Sequence, residues 1–354
     1  YPISDRIQER KGRYIMESYE FLLFLAIILF ATKICGLFSR KFHMPQVVGA
    51  LLAGVILGPS VLNLISFDGA TGSYLEITAE IGVILLMFSA GLETDLTELK
   101  ENGVASFITA GIGVLVPLFG GFLSYALYFH TDFGDFMEVL KAVFVGVVLT
   151  ATSVSITVET LRELGKLKGR VGTTILGAAV IDDIMGIIVL TVVTSIEDTS
   201  VNPFTVLLKI VLYFIVIAIV AFVMFKCKKL IEGAGEKRRV TIFAIAFCFL
   251  LSYVSEQFFG IADITGAYFA GLMLCNMKIG DYIKARAEVP SYLLFSPVFF
   301  ASIGIKTQLE GMNGKLIGFC VILLVVAILT KVVGCGLGAK ICRYSNREAL
   351  QIGV

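Results

Sequence analysis

The sequence predicts an all-α polytopic membrane protein, and three observations carry that prediction. Hydrophobic residues make up 57% of the 354 and charged residues only 16%, where a soluble chain carries about 25% charge. Mean hydropathy is +0.90, and apolar runs near the roughly 20 residues that a spanning helix needs recur along the whole length. The net charge of +1 says little, because the charges are segregated into the short loops between those runs, which argues against nucleic-acid binding.

Eleven spanning segments read out in order, near residues 20–38, 45–66, 76–93, 104–128, 138–160, 171–196, 202–225, 239–256, 260–277, 290–305 and 314–339. A twelfth begins at Arg347, and the chain ends inside it, so residues 16–354 read as a transmembrane domain truncated at its C-terminus. Loops after odd-numbered segments are basic: Arg40 and Lys41 follow the first, Lys166, Lys168 and Arg170 the fifth, and Lys226 to Arg239 the seventh. Loops after even-numbered segments hold almost no Lys or Arg apart from Lys306 and Lys315. The positive-inside rule puts the odd loops in the cytoplasm and the N-terminus outside. Arg6, Arg10, Lys11 and Arg13 conflict with that orientation. A start at Met16 removes the conflict, so residues 1–15 read as an upstream, non-native extension. They lack an apolar h-region and are no signal peptide.

Seven cysteines are scattered singly, with no CxxC or Cys/His cluster. They read as small apolar packing residues, with neither a transition-metal site nor a disulfide frame. No P-loop or nucleotide fingerprint supports ATP-driven chemistry.

The chain repeats itself. GALLAGVILG from Gly49 matches GAYFAGLMLC from Gly266, and FSAGLETDL from Phe88 matches ASIGIKTQL from Ala301, aligning Gly91 with Gly304, Thr94 with Thr307 and Leu96 with Leu309. The partners are seven segments apart, an odd number, so they cross the membrane in opposite directions. That is the signature of inverted-topology repeats, which place a substrate site near the midplane between them. The repeat pairs the fourth, fifth and sixth segments with an eleventh, twelfth and thirteenth, which makes about 13 transmembrane helices in a complete domain.

Asp182 and Asp183 lie in the middle of the sixth segment, in a run with no other charge between Arg170 and Glu197. A charge at the bilayer midplane costs roughly 2.5–3.5 kcal/mol on insertion scales. Two adjacent acids double the cost and repel each other, so the pair reads as a site for cations or protons. On a helix the two side chains point about 100° apart, which suits one acid paired and one facing a cavity. The alternative is that they cap a helix break or sit in a soluble loop. Lys331, deep in the eleventh segment, is the natural partner for one acid, since an ion pair offsets part of each burial cost. Alternatively its stem carries the ammonium to the cytoplasmic interface. In the fifth segment, the hydroxyls of Thr150, Thr152 and Ser153 suit either a cation's oxygen shell or bonding between helices. No Pro or Gly marks a break there. Glu93, Asp95, Glu98 and Glu101 read as a solvated acidic loop.

MPQVVGALLAGVILGPSVL, TATSVSITVETLRELGKL, GAAVIDDIMGIIVL, GAYFAGLMLC and PVFFASIGIKTQL are the successive motifs by which this chain resembles the bacterial sodium/proton and cation/proton antiporters of the monovalent cation:proton antiporter superfamily. The resemblance spans about Met16 to Val354. It implies secondary antiport of Na⁺, or another monovalent cation, against H⁺, with no cofactor, in the inner membrane of a bacterial cell, by a homodimer. It implies that Asp183 binds the ion and the proton, that Asp182 pairs with Lys331, and that Thr152 and Ser153 mark the crossing point of a broken helix. Some relatives carry an Asp where this chain has Ser153, and that acid's role does not transfer. The double-Asp motif goes with the electrogenic type. Two rivals stand beside this reading: a K⁺ efflux or K⁺/H⁺ system gated by a nucleotide-binding domain beyond Val354, and a non-transporting membrane receptor on the same fold.

Overall fold

The computed structural model describes residues 3–67, 69–197, 202–233, 235–308 and 313–354, and every regular element among them is helical. In chain order these are α1 (Ile3–Lys41), α2 (Gln46–Leu57), α3 (Gly69–Glu93), α4 (Leu96–Phe129), α5 (Phe136–Thr150), α6 (Val154–Glu163), α7 (Arg170–Glu197), α8 (Pro203–Gly233), α9 (Arg238–Val254), α10 (Asp263–Leu274), α11 (Gly280–Pro290), α12 (Ser296–Ile305), α13 (Gly314–Ile341) and α14 (Asn346–Gly353). A π-helical turn, Ser255–Phe259, ends α9, and a second, Ser291–Phe295, joins α11 to α12. Of the leading fifteen residues, the first two lie outside the described residues, and so does Leu309 of the repeat.

Nine helical stretches among the described residues are long and apolar enough to cross a membrane. They match nine of the eleven expected segments. The two that fall short are the second and the ninth, where α2 and α10 have 12 residues each, about 18 Å of helix against a hydrocarbon core of roughly 30 Å. These two short helices carry the two halves of the GAxxAG match.

The chain divides into two compact units, Tyr1–Leu86 with Ala285–Gly311, and Met87–Lys284 with Met312–Val354. In the first unit α2 packs between α1 and α12. A Cβ on Gly54 would strike the Ala301 carbonyl, and one on Gly304 would strike the Leu51 carbonyl, so only glycine lets these backbones touch. Ile28, Leu57, Ile65, Leu75, Val298 and Ile305 close the core around that crossing. The second unit contains an equivalent crossing built from the other repeat positions. A Cβ on Gly271 of α10 would strike the Phe88 carbonyl, and one on Gly91 at the end of α3 would strike the Tyr268 carbonyl.

At the centre of the second unit, α4 packs against α5, α7 and α13. Small residues again set the approach: Gly121 and Gly146 bring α4 and α5 together, and Gly338 sits against Thr109. Asp95 starts α4 by accepting hydrogen bonds from the backbone N–H of Thr97 and Glu98, so it is a cap rather than a loop charge. The fifth segment is one membrane-spanning stretch in two pieces. α5 stops at Thr150, residues 151–153 are not helical, and α6 starts at Val154 with Ser153 as its cap, the Ser153 Oγ accepting from Ile156 N–H at 3.3 Å.

Candidate functional site

α7 is a 28-residue helix, with twelve residues before Asp182 and fourteen after Asp183. Its length, about 42 Å, exceeds the hydrocarbon thickness, so both acids fall near its midpoint. The helix lies close on α4 because Gly177 leaves room for Ser106, whose hydroxyl donates to the Thr174 carbonyl at 3.2 Å.

The two carboxylates have different surroundings. Asp182 is buried, 6% exposed, and its Oδ2 accepts a hydrogen bond from Lys331 Nζ at 3.0 Å. Lys331 reaches it from α13, where Gly334 sits against Ile112 and Gly113 of α4. The ammonium does not run to the interface: it also donates to the Gly113 carbonyl and to the Thr150 carbonyl, each at 3.0 Å. An ammonium on a side chain has three N–H groups, and here all three are used. Its position at the C-terminal end of α5 adds a favourable helix dipole. Asp183 is half-buried and makes no hydrogen bond or ion pair among the described residues.

Of the fifth-segment candidates, Thr150 lends its backbone carbonyl to Lys331, while its hydroxyl donates back to the Val147 carbonyl at 2.7 Å. Thr152 lies in the break beside Asp182, its hydroxyl donating to the Thr150 carbonyl at 3.4 Å. Ser153 is committed to capping α6. Asp182, Lys331, Thr150 and Thr152 therefore form one cluster with Gly113, and Asp183 stands beside it.

Two groups escaped sequence reasoning. Glu93, read as part of a solvated loop, is 9% exposed. Its Oε1 is shared by Arg162 Nε at 3.4 Å and Lys284 Nζ at 3.2 Å, and Arg162 also pairs with buried Glu159 at 3.3 Å. The second group anchors the start of α7. The buried Tyr344 hydroxyl lies 2.7 Å from Thr174 Oγ1 and donates to Asn102 Oδ1 at 2.9 Å, and the Arg170 guanidinium stacks 4.0 Å above its ring. Tyr344 thus ties the loop after α13 to α4 and α7, the elements that carry Lys331 and the acids.

GerT of Bacillus cereus, described as a probable Na(+)/H(+) antiporter, is 39% identical over 93% of this chain and 85% of its own length. The Na(+)/H(+)-K(+) antiporter GerN of the same organism is 38% identical over 95% and 84%, and a Na(+)/H(+) antiporter of Enterococcus hirae is 35% identical over 94% and 85%. The fold is shared with the sodium proton antiporter MjNhaP1 of Methanocaldococcus jannaschii, at a TM-score of 0.68 and 20% identity over 95% of this chain and 82% of that one. The family model described as "Sodium/hydrogen exchanger, transmembrane" matches residues 25–354, and the chain belongs to that family.

Proposed function

We propose that the protein is a secondary antiporter that exchanges a monovalent cation, Na⁺, for H⁺ by alternating access at the α7 carboxylates. The observation that carries this reading is Asp183, a carboxylate at the middle of a membrane-spanning helix with no hydrogen bond or ion pair of its own among the described residues. Such a group is costly in an apolar surrounding unless a cation or a proton neutralises it. It can hold one or the other but not both, and that competition is the basis of exchange. Asp182 and Lys331 compensate each other and hold α7 against α13, so Asp183 carries the exchanged ion. The names of the relatives at 35–39% identity agree with this reading.

The inverted repeat is supported by the matched crossings at Gly54 with Gly304 and at Gly271 with Gly91, and by the equal shortness of α2 and α10. A homodimer in the bacterial inner membrane, with the N-terminus outside and odd loops cytoplasmic, completes the proposal. The test is proton movement in vesicles holding a pH gradient, on addition of Na⁺, Li⁺ or K⁺. Wild-type protein dissipates the gradient with Na⁺; Asp183→Asn does not. Undiminished exchange by that variant refutes the assignment. The name of GerN, an Na(+)/H(+)-K(+) antiporter, favours K⁺ as a second substrate, which the K⁺ arm of the same assay decides.

A further inference from the structure

The Lys331 ammonium sits among oxygens that are available for a specific reason. In a regular helix the Gly113 carbonyl would accept from the backbone N–H four residues on. That residue is Pro117, inside α4, and proline has no N–H. The Thr150 carbonyl would accept from residue 154, but α5 ends at Thr150 and the next three residues are not helical. Two carbonyls without a helical backbone donor must find another donor or a cation; Thr150 takes a long bond from the Thr152 hydroxyl at 3.4 Å, and both carbonyls accept from one atom, Lys331 Nζ, each at 3.0 Å. Asp182 Oδ2 completes the set at 3.0 Å. Asp182 Oδ1 is buried and receives no N–H from the ammonium, which has spent all three; among the described residues its polar neighbour is the Thr152 hydroxyl, which is turned to the Thr150 carbonyl at 3.4 Å.

The arrangement is an oxygen cage with one acceptor more than its occupant can serve. A free ammonium ion has a fourth N–H for Asp182 Oδ1. A bare alkali ion has no directional limit and takes carbonyl and carboxylate oxygens alike in place of its hydration shell. The oxygens stand at a distance set by an ammonium, an ion close to K⁺ in size and well above Li⁺ or Na⁺. We propose that the Gly113–Thr150–Asp182 cage is a second monovalent-cation position, matched to a dehydrated ion of ammonium or K⁺ size, which Lys331 fills as a tethered competitor. The proposal rests on reading α7 as the ion-exchange site and adds to it: Asp183 takes the exchanged ion, while the cage decides which cations can displace the lysine.

The test needs no transport. Thermal unfolding midpoints of purified Lys331→Ala are measured in ammonium, potassium, sodium, lithium and choline chlorides at equal ionic strength. Removing the tether empties the cage, so ammonium and K⁺ raise the midpoint saturably, with apparent affinities about tenfold or more above that of Li⁺. Wild-type protein shows no ammonium-specific rise. Adding Asp182→Asn to Lys331→Ala removes the cage's charge and cuts the ammonium effect about tenfold or more. If Lys331→Ala does not survive purification in choline, recovery of a monodisperse protein in ammonium chloride supports the cage. Failure in ammonium as well, while the Lys331→Ala/Asp182→Asn protein is folded, overturns it. A stable Lys331→Ala protein that responds alike to ammonium and choline, or best to Li⁺, also overturns it. Because Na⁺-driven proton movement by wild-type protein is scored separately, loss of the cage and loss of the antiport reading are distinguishable.

Discussion

The second unit contains two clusters of buried charge, and they are balanced differently. Around Glu93 two buried acids, Glu93 and Glu159, are each in a salt bridge, with Arg162 and Lys284 as their cations and Glu163 close by. Around Asp182 two acids meet one cation, and Asp183 is left over. A cluster in which each buried acid is paired explains itself as a fastening between α3, α6 and α11. A cluster one positive charge short asks for a mobile one. What distinguishes the proposed transport site is therefore an acid without an ion pair among the described residues, since burial is common to both.

The largest expected difference between the clusters is functional. Asp183→Asn deletes the uncompensated charge, so the unfolding midpoint stays level or rises while Na⁺-driven proton movement is lost. Glu93→Gln does the reverse: it takes the paired carboxylate from Lys284 and leaves Arg162 with Glu159 alone, lowers stability, and leaves the cation affinity of the folded fraction unchanged. A Glu93→Gln protein of normal stability would show that the balanced cluster is not a fastening.

Next in size is the pair itself. Asp182→Asn removes the carboxylate in contact with Lys331 and leaves it only the more distant charge of Asp183, a loss of about 3 kcal/mol at most. Removing both partners, as in Asp182→Asn/Lys331→Met, strands neither member of the pair, and most of that stability returns. Denaturation of the two single variants and the double variant measures the coupling. Additive effects would mean that the 3.0 Å contact contributes nothing. For Glu93→Gln the same logic gives about 2 kcal/mol, less because the Lys284 side chain is 26% exposed and partly screened.

How much of this was legible in the sequence follows from how local each cause is. Asp182 and Asp183 stood out because nothing within a long uncharged run accounts for them. The nine long apolar helices and the repeated glycines were legible for the same reason, since period and composition are properties of the segment itself. The break at residues 151–153 was legible only through the family resemblance, which put a crossing at Thr152 and Ser153, and not from the local residues. No Pro or Gly marks it, and Thr150 is free to end α5 because its carbonyl is taken by Lys331, a residue 181 positions away. Glu93 was misread as solvated because the cations that bury it arrive from α6 and α11. Tyr344 had no local signal, as its partners Asn102 and Thr174 lie more than a hundred residues upstream.

Pro117 is the intermediate case, visible in the sequence but without meaning until Gly113 is seen to face Lys331. It yields the subtlest of the tests. Pro117→Ala returns an N–H to α4, and the Gly113 carbonyl then has an intrahelical donor competing with the ammonium. One of three contacts on Lys331 weakens, while the ion pair and the Thr150 carbonyl remain. A single hydrogen bond to a charged group contributes about 1.5–3 kcal/mol, and only part of it is lost when the acceptor is shared. Exchange should persist, with the apparent KM for the cation lowered about threefold to tenfold, because a less firmly held lysine is displaced more easily. Helix straightening alone would change stability and maximal rate without that shift in KM. A Pro117→Ala protein with unaltered KM would mean that the carbonyl freed by the proline does not help to hold Lys331 in place.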